Sequence, residues 1–392
     1  MKIINIDEQK NINKKKVLIT SIIVAIICIV IILFIIYSSS SSFREVVDKY
    51  VLMKNIVEDS TPSITLDENE TNNIFAYDKY ISILSKNTLK NYNSSGKEEG
   101  NLTIEISNPI TATSGKYLLI AEKDAQKIYL ISGNQIIWQK ELEGNIDRIS
   151  VNKNGYVAVI LSGTINKSVI QTFDSTGVEL FKTYLSRTIA MDVDISWDNQ
   201  YLAFAEINTS GTTVKSIIKI VSIQKAKTTP AESIIYTYSD TEGNLITNIK
   251  YQEGNRLICM CDSGVYIVQN EKYNELIKLI ENDQKITFGG IELSNRVYRV
   301  IEKSSLLNTQ TTVEIVNVSN NKTSVYNLEG VAKEIYSYND TISVNLGSEV
   351  HFISTNGWLI KKYISSQEIR TIVMCNNFAG IVYRNKIEIV NF

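Results

Sequence analysis

The chain has 392 residues, of which 44% are hydrophobic and 21% are charged, and this balance excludes a largely disordered protein. Its formal net charge of −2 conceals an asymmetry. Five lysines and two acidic residues give residues 1–16 a charge of +3, and residues 17–37 carry none, which leaves −5 for the remainder. A mildly acidic body repels phosphate backbones, so the composition argues against a nucleic-acid partner.

The first predicted element is a membrane-spanning helix from Val17 to Tyr37, which contains no charged residue. Its 21 residues, at about 1.5 Å each, match a hydrocarbon core of about 30 Å. Lysines precede it, and serines with mixed charges follow it. The positive-inside rule therefore predicts a cytoplasmic tail of residues 1–16 and an extracellular C-terminal domain. The sequence predicts a single-pass protein of the cell membrane, held in the lipid by an uncleaved signal anchor.

Two alternatives to this anchor agree less well with the residues. A cleaved signal peptide has a shorter apolar region, although the serines at residues 38–42 would suit cleavage. A lipoprotein signal needs a small residue before its cysteine, whereas Ile27 precedes Cys28. The uncleaved helix remains the prediction.

Residues 38–63 are predicted to form a juxtamembrane stalk. Apolar residues from Phe43 to Met53 recur mostly at helical spacing, which predicts a helix from Phe43 to Glu58. The Asp-Ser-Thr-Pro sequence at residues 59–62 would end it. We expect this helix to pack on the following domain or on the membrane surface.

From residue 64 to residue 392, short β-branched and tyrosine-rich runs alternate with polar turns, and no long helical period appears. Residues 117–121 and 201–205 are such runs, and Asn154-Gly155 is typical of the turns. The pattern predicts one all-β extracytoplasmic domain over residues 64–392.

These runs repeat as a unit. We expect the second strand of each unit to start near Ile74, Tyr117, Tyr156, Tyr201, Arg256, Arg296, Thr341 and Phe378. The seven intervals average about 43 residues, the length of a four-stranded propeller blade. The last unit, residues 368–392, contains only three strands, and a strand near residues 64–66 would complete it and close the ring. The prediction is a β-propeller of eight four-stranded blades, with seven as the alternative because the first unit is weakly defined.

Three of the four cysteines fall within this domain. Cys259 and Cys261 are two residues apart on a predicted strand, so their side chains share a face. A disulfide between Cys375 and either Cys259 or Cys261 remains an alternative. Buried free thiols are favoured, because four cysteines in a chain of this length do not form a disulfide framework.

Carboxylates are the first candidates for chemistry. Asp192 and Asp194 flank Val193 on a predicted innermost strand, so both would point toward the central channel. Close like charges favour Ca²⁺ or a raised pKa, whereas the simpler interpretation is solvated or turn-capping carboxylates. Residues 240–244 resemble part of a calcium loop but lack its alternating ligands, so they predict a turn.

Other candidates are few. The single histidine, His351, lies in a predicted strand, and no nucleophile elbow, zinc-site spacing or phosphate loop accompanies it. We therefore predict no catalytic residue, no metal and no cofactor. Trp138 and Trp358 are candidate contact residues on outer strands or loops, with packing inside the domain as the favoured alternative.

Two motifs resemble those of known propellers. The segment from Asp194 to Phe204 resembles the strand-turn-strand of TolB-like and WD-repeat propellers. The runs that begin at Gly133, Gly177 and Gly357 are similar to the outer strands of quinoprotein-like propellers. The layout of residues 14–392 resembles an uncharacterised, clostridial-type bacterial family of membrane-anchored propellers, for which no reaction is assigned. The Gly-His and Trp-Asp signatures that recur from repeat to repeat in WD proteins, and the aspartate boxes of sialidases, are missing from the sequence.

The predicted function is a protein-binding or scaffold module at the cell envelope, with another envelope protein as its partner and no catalysis. One alternative is a sensor that binds an extracellular small molecule or carbohydrate in the propeller funnel. Another is a carbohydrate-active enzyme that uses carboxylates such as Asp192 and Asp194, for which fold analogy is the only support.

Overall fold

The computed structural model describes residues 6–58, 61–67, 72–211, 213–240, 243–269, 272–280, 285–304 and 309–392. The chain divides into two compact units, Met1–Asn55 and Ile56–Phe392.

The N-terminal unit is built on helix α1, Ile6–Ser39. Its part Lys16–Ser39 is long and apolar enough to cross a membrane, and its side chains are not buried within the protein. The described residues thus contain one candidate membrane-spanning helix, where the sequence predicts one, although the helix begins well before Val17.

The segment after α1 differs from the predicted stalk. Helix α2, Ser41–Val46, continues into a π-helical turn, Val47–Val51, and the chain is extended from Asn55 onward. Asp48 is buried; its carboxylate accepts a hydrogen bond from the Tyr37 hydroxyl (2.6 Å) and pairs with Lys54 (2.7 Å). These contacts turn the chain back on itself, so the helix ends at Val51 and not at Glu58.

The second unit contains the strands. The first two are β1 (Asn55–Val57) and β2 (Ser63–Thr65). Blade 1 consists of β3 (Asn72–Tyr77), β4 (Tyr80–Ser85), β5 (Thr88–Tyr92) and β6 (Glu98–Thr103). Blade 2 consists of β7 (Pro109–Ser114), β8 (Tyr117–Glu122), β9 (Lys127–Ser132) and β10 (Gln135–Glu141). Blade 3 consists of β11 (Asn145–Val151), β12 (Val157–Ser162), β13 (Ser168–Phe173) and β14 (Glu179–Leu185).

Blade 4 consists of β15 (Thr188–Ile195), β16 (Tyr201–Asn208), β17 (Lys215–Ser222) and β18 (Ile234–Ser239), with helix α3 (Ile223–Thr228) and a 3₁₀ turn (Pro230–Glu232) before β18. Blade 5 consists of β19 (Ile246–Gln252), β20 (Arg256–Cys261), β21 (Gly264–Gln269) and β22 (Lys272–Lys278). Blade 6 consists of β23 (Lys285–Gly290), β24 (Arg296–Ser304), β25 (Thr309–Asn317) and β26 (Thr323–Glu329).

Blade 7 consists of β27 (Glu334–Tyr338), β28 (Thr341–Asn345), β29 (Glu349–Ser354) and β30 (Leu359–Ile364). Blade 8 contains β31 (Thr371–Met374), β32 (Phe378–Val382) and β33 (Lys386–Asn391). Within each blade, consecutive strands pair in an antiparallel meander. The first strands of neighbouring blades contact one another, so they are innermost.

Seven of the eight predicted second strands are confirmed within a residue. In blade 1 the predicted start, Ile74, falls on the innermost strand β3, and the second strand starts at Tyr80. The turn between them is short, and Asp78 adopts the left-handed conformation there (φ +50°). A two-residue Asp-Lys turn lacks the glycine or asparagine that marks a turn in a sequence.

Eight hydrophobic clusters hold the ring together, one at each contact between neighbouring blades. Leu130 of blade 2 packs with Val159 of blade 3, and Phe352 of blade 7 packs with Ile381 of blade 8. Each such side chain contributes about 1.5 to 3 kcal/mol when fully buried. The favoured count of eight blades is therefore confirmed.

The ring closes through the N-terminal part of the second unit. Strand β2 pairs with β33, with Ser63 opposite Glu388 and Thr65 opposite Lys386, and supplies the fourth strand of blade 8. The predicted closing strand is therefore confirmed. Strand β1 adds a fifth strand to blade 7 beside β30, so the propeller begins near Ile56 and not at residue 64.

Between β1 and β2, Glu58 is held by blades 7 and 8. Its carboxylate accepts hydrogen bonds from Ser365, Ser366 and the amide of Gln367 (2.7 to 2.9 Å), and Lys386 lies 3.2 Å away. Burial alone would raise the pKa of Glu58, but these donors outweigh burial and lower that pKa to about 2.

In the folded protein the pKa of Glu58 is lower than the ordinary glutamate value of about 4.3. The ionised carboxylate therefore stabilises the fold above about pH 4.3, and this contribution is lost as the pH falls toward 2. We expect Glu58→Gln to lower the free energy of unfolding at pH 7 by on the order of 2 kcal/mol. The variant's stability should also decline less between about pH 5 and pH 2. Urea denaturation of the full-length protein in detergent at several pH values measures both effects.

Glu368→Gln is the matched control, because Glu368 forms an exposed ion pair with Lys333. Such pairs contribute little, so its acid dependence should follow that of the wild type. Equal acid slopes in the wild type and Glu58→Gln would contradict the assignment.

Candidate functional site

Asp192 and Asp194 lie on β15, which is an innermost strand as the sequence predicts. A β-bulge between Ala190 and Asp192 shifts the register against β16. Such a bulge changes the direction of the side chains that follow it. Asp194 is only 3% exposed and Asp192 is half-buried. The two carboxylates turn toward the next blade.

There they hold the free edge of β19, the innermost strand of blade 5. Asp192 accepts a hydrogen bond from the backbone N–H of Ile249 (2.8 Å), and Asp194 accepts one from that of Tyr251 (2.7 Å). Asp194 also accepts a hydrogen bond from the Ser150 hydroxyl of blade 3 (2.5 Å). An innermost strand has no neighbour on its inner side, so these carboxylates take the place of a strand partner. The pair joins three blades.

The electrostatics of the two carboxylates differ. Burial raises the pKa of Asp192 to about 7; the nearby Asp194 adds to the rise, and the N–H of Ile249 opposes it. Lys250 lies 3.6 Å from Asp194, and that carboxylate raises the pKa of Lys250 above its ordinary value. A raised pKa is one of the two results that the sequence predicts for the close pair. No cluster of three or more metal-ligating side chains stands among the residues that the structure describes.

A folded-state pKa near 7 exceeds the ordinary aspartate value of about 3.9, so the stability that protonated Asp192 contributes is lost as the pH rises through 7. We expect Asp192→Asn, which keeps an acceptor for Ile249, to remove this decline. After allowance for partial exposure, the variant should be more stable than the wild type at pH 8 by on the order of 1 to 2 kcal/mol.

Denaturation of both proteins at pH 5 and pH 8 checks this prediction. Asp198→Asn serves as the control, because hydrogen bonds in an exposed turn lower the pKa of Asp198 instead of raising it. A loss of stability at pH 8 in Asp192→Asn would refute the assignment.

The turns between first and second strands also join blade to blade. The amide of Asn152 donates to the carbonyl of Ser196 (2.9 Å), and the amide of Asn255 donates to Asp198 (2.6 Å). The acceptors, Ser196 and Asp198, belong to the strand-turn-strand of this chain that resembles the one in TolB-like propellers. In its turn, Asn199 has a positive φ of 61°. That motif therefore contributes to ring assembly in this chain.

Trp138 does not form a surface contact. It is 8% exposed and packs between blades 2 and 3 against Phe173, with ring centroids 5.8 Å apart. Gly177 of blade 3 has a φ of +84°, and a Cβ there would lie 2.8 Å from the Trp138 ring. The run that begins at Gly133 therefore places Trp138 against Gly177 of the next blade. The burial of Trp138 contradicts the contact role predicted for it and agrees with the packing role that was favoured.

Trp358 is 41% exposed and lies in the turn before β30. The preceding Gly357 packs on the backbone of Val325 in outer strand β26, and Val325 is itself exposed. Trp358 therefore stays a candidate contact residue, on a small apolar patch between blades 6 and 7.

His351 is buried, and both of its ring nitrogens are engaged. Nδ1 lies 2.8 Å from the Tyr326 hydroxyl, and Nε2 lies 3.1 Å from Glu349. The hydrogen bond from His351 and the ammonium of Lys362 lower the pKa of Glu349 to about 2, although burial opposes them. The histidine joins blades 6 and 7.

The remaining candidates are also internal. Cys259, Cys261 and Cys375 are buried free thiols, as favoured from the sequence, and burial raises the pKa of Cys375 to about 12. In the calcium-like segment, Asp240 accepts hydrogen bonds from Asn244, as in a turn, while residues 241 and 242 lie outside the described residues.

An insertion in blade 4 forms a pocket that sequence reasoning missed. Helix α3 and the 3₁₀ turn separate β17 from β18, where blade 2 has only a two-residue turn. The insertion encloses about 300 Å³ between blades 3 and 4, a space lined by Tyr156, Leu180, Asn199, Gln200, Tyr201, Ser222, Ile223, Gln224 and Lys227. The length of this polar connection is the signal that could have revealed the pocket.

A larger cleft of about 590 Å³ lies between blades 7 and 8. Its charged side chains include both signs and are partly paired. Lys333 lies 2.8 Å from Glu368, and the Thr371 hydroxyl donates to Glu334 (2.6 Å). This mixture does not select a ligand of one charge.

The outer edge of blade 4 is the third missed feature. Strand β18 reads Ile-Ile-Tyr-Thr-Tyr-Ser, without a charged residue, and within the described part of the chain its only neighbour in the sheet is β17. The other uncovered outer strands of comparable length, β6, β10, β14, β22 and β26, each carry at least one charged residue. Ile234 and Ile235 of β18 are exposed. This edge lacks the charges that usually prevent strand addition.

Comparison with known proteins assigns the chain to a family. The model of a family of unknown function, DUF5711, matches residues 55–392, from β1 to the last residue. The chain belongs to the DUF5711 family. The predicted resemblance to an uncharacterised family is therefore confirmed, and the matched range coincides with the propeller. None of the curated proteins compared with this DUF5711 chain matches its sequence.

Solved structures show the fold of the DUF5711 chain. BamB from Moraxella catarrhalis is 13% identical with a TM-score of 0.50, over 84% of this chain and 98% of BamB. Hydrazine synthase from Kuenenia stuttgartiensis is 9% identical, with a TM-score of 0.43, over 81% of this chain and 94% of that one. Hsv2 from Kluyveromyces lactis is 10% identical, with a TM-score of 0.45, over 72% and 93%. The likeness to BamB shows a shared propeller fold, and the two lower scores carry no argument.

Proposed function

We propose that this DUF5711 chain is a membrane-anchored scaffold that binds an extended segment of another envelope protein along blade 4. The anchor is the apolar helix Lys16–Ser39. The lysines at residues 14–16 support a cytoplasmic N-terminus and an extracytoplasmic propeller. In this proposal the protein positions a partner and catalyses no reaction.

The observation that carries the proposal is the uncharged outer edge of β18. An edge strand presents a row of unpaired backbone groups, and proteins usually shield such a row with charges, proline or a short strand. Blade 4 uses none of these. An added strand would lie along the outer edge of β18, and its side chains would meet Ile234 and Ile235.

The same molecule contains an example of such an addition. Strand β1 lies beside β30 as the fifth strand of blade 7, and the N–H of Glu58 continues the contact to the carbonyl of Ile364 (2.9 Å). The outer edge of one blade therefore accepts an extended segment that is not part of its meander. We infer that blade 4 does the same with a segment of a partner.

The side chains of β18 indicate which residues such a segment carries. Tyr236 and Tyr238 turn toward blade 5, where Tyr238 stacks on Tyr273 with centroids 4.1 Å apart. The exposed side chains are Ile234, Ile235, Thr237 and Ser239. A complementary strand would be uncharged and would alternate apolar and polar residues.

Photocrosslinking of the full-length protein in intact cells tests the proposal. A photoreactive amino acid replaces Ile235 in one variant and Ile137 of outer strand β10 in another; each of these side chains is 43% exposed, so the positions are matched. We expect a protein adduct from position 235 only, with cross-links confined to one continuous stretch of the partner. Adding Thr237→Lys should reduce the adduct at least about fivefold, because a charge on the edge opposes strand addition.

Equal adducts at both positions, or an adduct unaffected by Thr237→Lys, would remove β18 as the partner site. The orientation has its own test, since protease added to cells stripped of their wall should digest the propeller. A protected propeller would overturn the proposed orientation.

A further inference from the structure

We propose that the pocket formed by the blade 4 insertion binds an acidic saccharide, a sugar ring that carries a carboxylate or a phosphate. The site differs from the β18 edge, because it lies between blades 3 and 4 beside α3. Its volume of about 300 Å³ is at the lower end of the range for small-molecule pockets, which suits about one or two sugar rings.

The wall of the pocket is fixed in place. The N–H of Ile223 donates to the carbonyl of Gln200 (2.9 Å), and the N–H of Ser222 donates to the carbonyl of Ser233 (2.8 Å), which closes the base of the insertion. Ile223 and Ala226 are buried in the cluster between blades 3 and 4. Because α3 is held at its base and along its apolar face, the pocket keeps its shape when no ligand is bound. Binding therefore does not have to order the pocket, and its free-energy cost is smaller.

Polar groups without partners converge on this space. The hydroxyl of Tyr156 and the side-chain amides of Gln200 and Gln224 form no hydrogen bond within the described part of the chain, whereas the ring of Tyr201 packs toward blade 5. Both glutamines are exposed, and Tyr156 is half-buried. Elsewhere in the ring, polar side chains such as those of Asp194 and His351 are engaged with neighbouring blades. The pocket therefore concentrates unused hydrogen-bonding capacity.

The combination of side chains matches a sugar. Tyrosine rings present flat apolar faces that pack on the C–H face of a pyranose and keep a hydroxyl for polar contact. A glutamine amide offers a donor and an acceptor side by side, which matches two adjacent sugar hydroxyls. Tyr156 and two glutamines around one space can therefore bind one face and the edges of a sugar ring.

The charge of the pocket selects an acidic ligand. Lys227 lines the space, is exposed and forms no ion pair among the described residues, and no aspartate or glutamate lines the pocket. An ammonium without a counter-ion attracts a carboxylate or phosphate and provides charge-assisted hydrogen bonds. A neutral sugar would lack that contact.

Calorimetric titration of the full-length protein in detergent tests the proposal with glucuronic acid, glucose and acetate as probes. We expect saturable binding of glucuronic acid, about threefold to tenfold tighter than glucose, and no saturable binding of acetate. Lys227→Gln should abolish the preference for the acidic sugar and leave glucose unchanged. Lys225→Gln, on the exposed side of the same helix and outside the pocket lining, is the matched control and should keep the preference.

Both lysine variants change exposed side chains, so they should fold like the wild type. Gln200→Ala combined with Gln224→Ala should weaken both sugars together. Failure of glucuronic acid to bind, binding of acetate as tight as that of glucuronic acid, or a preference that survives Lys227→Gln would overturn the proposal. None of these outcomes bears on the partner strand at β18.

Discussion

Replacement of Ile64 by aspartate should abolish closure of the ring and lower the free energy of unfolding by about 4 kcal/mol or more. Ile64 is the central residue of β2, and its side chain is buried in the cluster that joins blades 8 and 1. Without β2, blade 8 would keep only β31, β32 and β33. A buried carboxylate without a partner cannot stay ionised at low cost, so the strand should detach from β33.

Ser63→Asp is the matched control. Ser63 lies on the same strand with its side chain exposed, so the same charge there should change stability by less than about 1 kcal/mol. Thermal unfolding of both full-length variants in detergent, followed by near-ultraviolet circular dichroism, makes the comparison. Equal melting temperatures would show that β2 does not close the ring.

Asp194→Ala should produce the second large effect, a loss of about 3 to 5 kcal/mol of unfolding free energy. The substitution removes the acceptor for the Ser150 hydroxyl and for the N–H of Tyr251, and both donors are buried. It also leaves Lys250 without the carboxylate that lies 3.6 Å away. Each unsatisfied buried donor costs about 1 to 3 kcal/mol. Asp194→Asn keeps one acceptor oxygen and should cost less than half as much as the alanine variant.

Asp147→Ala provides the control for this experiment. Asp147 is also a carboxylate on an innermost strand, β11, but it accepts no hydrogen bond among the described residues. Its removal should change stability by about 0.5 kcal/mol or less. Urea denaturation of the three variants measures the order of the effects. Similar losses in Asp147→Ala and Asp194→Ala would contradict the role of Asp194 as a link between blades.

The apolar helix and most of the blades were predictable because their signals are local. A helix such as Lys16–Ser39 needs only a continuous apolar run, and a strand such as Tyr201–Asn208 needs only β-branched or aromatic residues bounded by a turn. Their spacing then predicts the blade count. The closing strand at Ser63–Thr65 was predictable as well, since the last repeat lacked a strand.

The features that were missed depend on distant parts of the chain. Strand β1 has three residues, and it is extended because the edge of β30 lies beside it, which the helical spacing around Phe43 cannot reveal. Asp192 and Asp194 were placed on the correct strand, but a bulge turns them toward the backbone of β19. The burial of Trp138 depends on Gly177 in the next blade.

The closing pair β2 and β33 has a consequence for biosynthesis. Strand β2 leaves the ribosome among the first residues of the propeller, and its partner β33 is the last strand of the ring. Blades 1 to 7 can all be complete while β2 still lacks the strand with which its backbone pairs. A chain that stops short of β33 would therefore leave β2 unpaired, so the ring can close only after its last strand has been made.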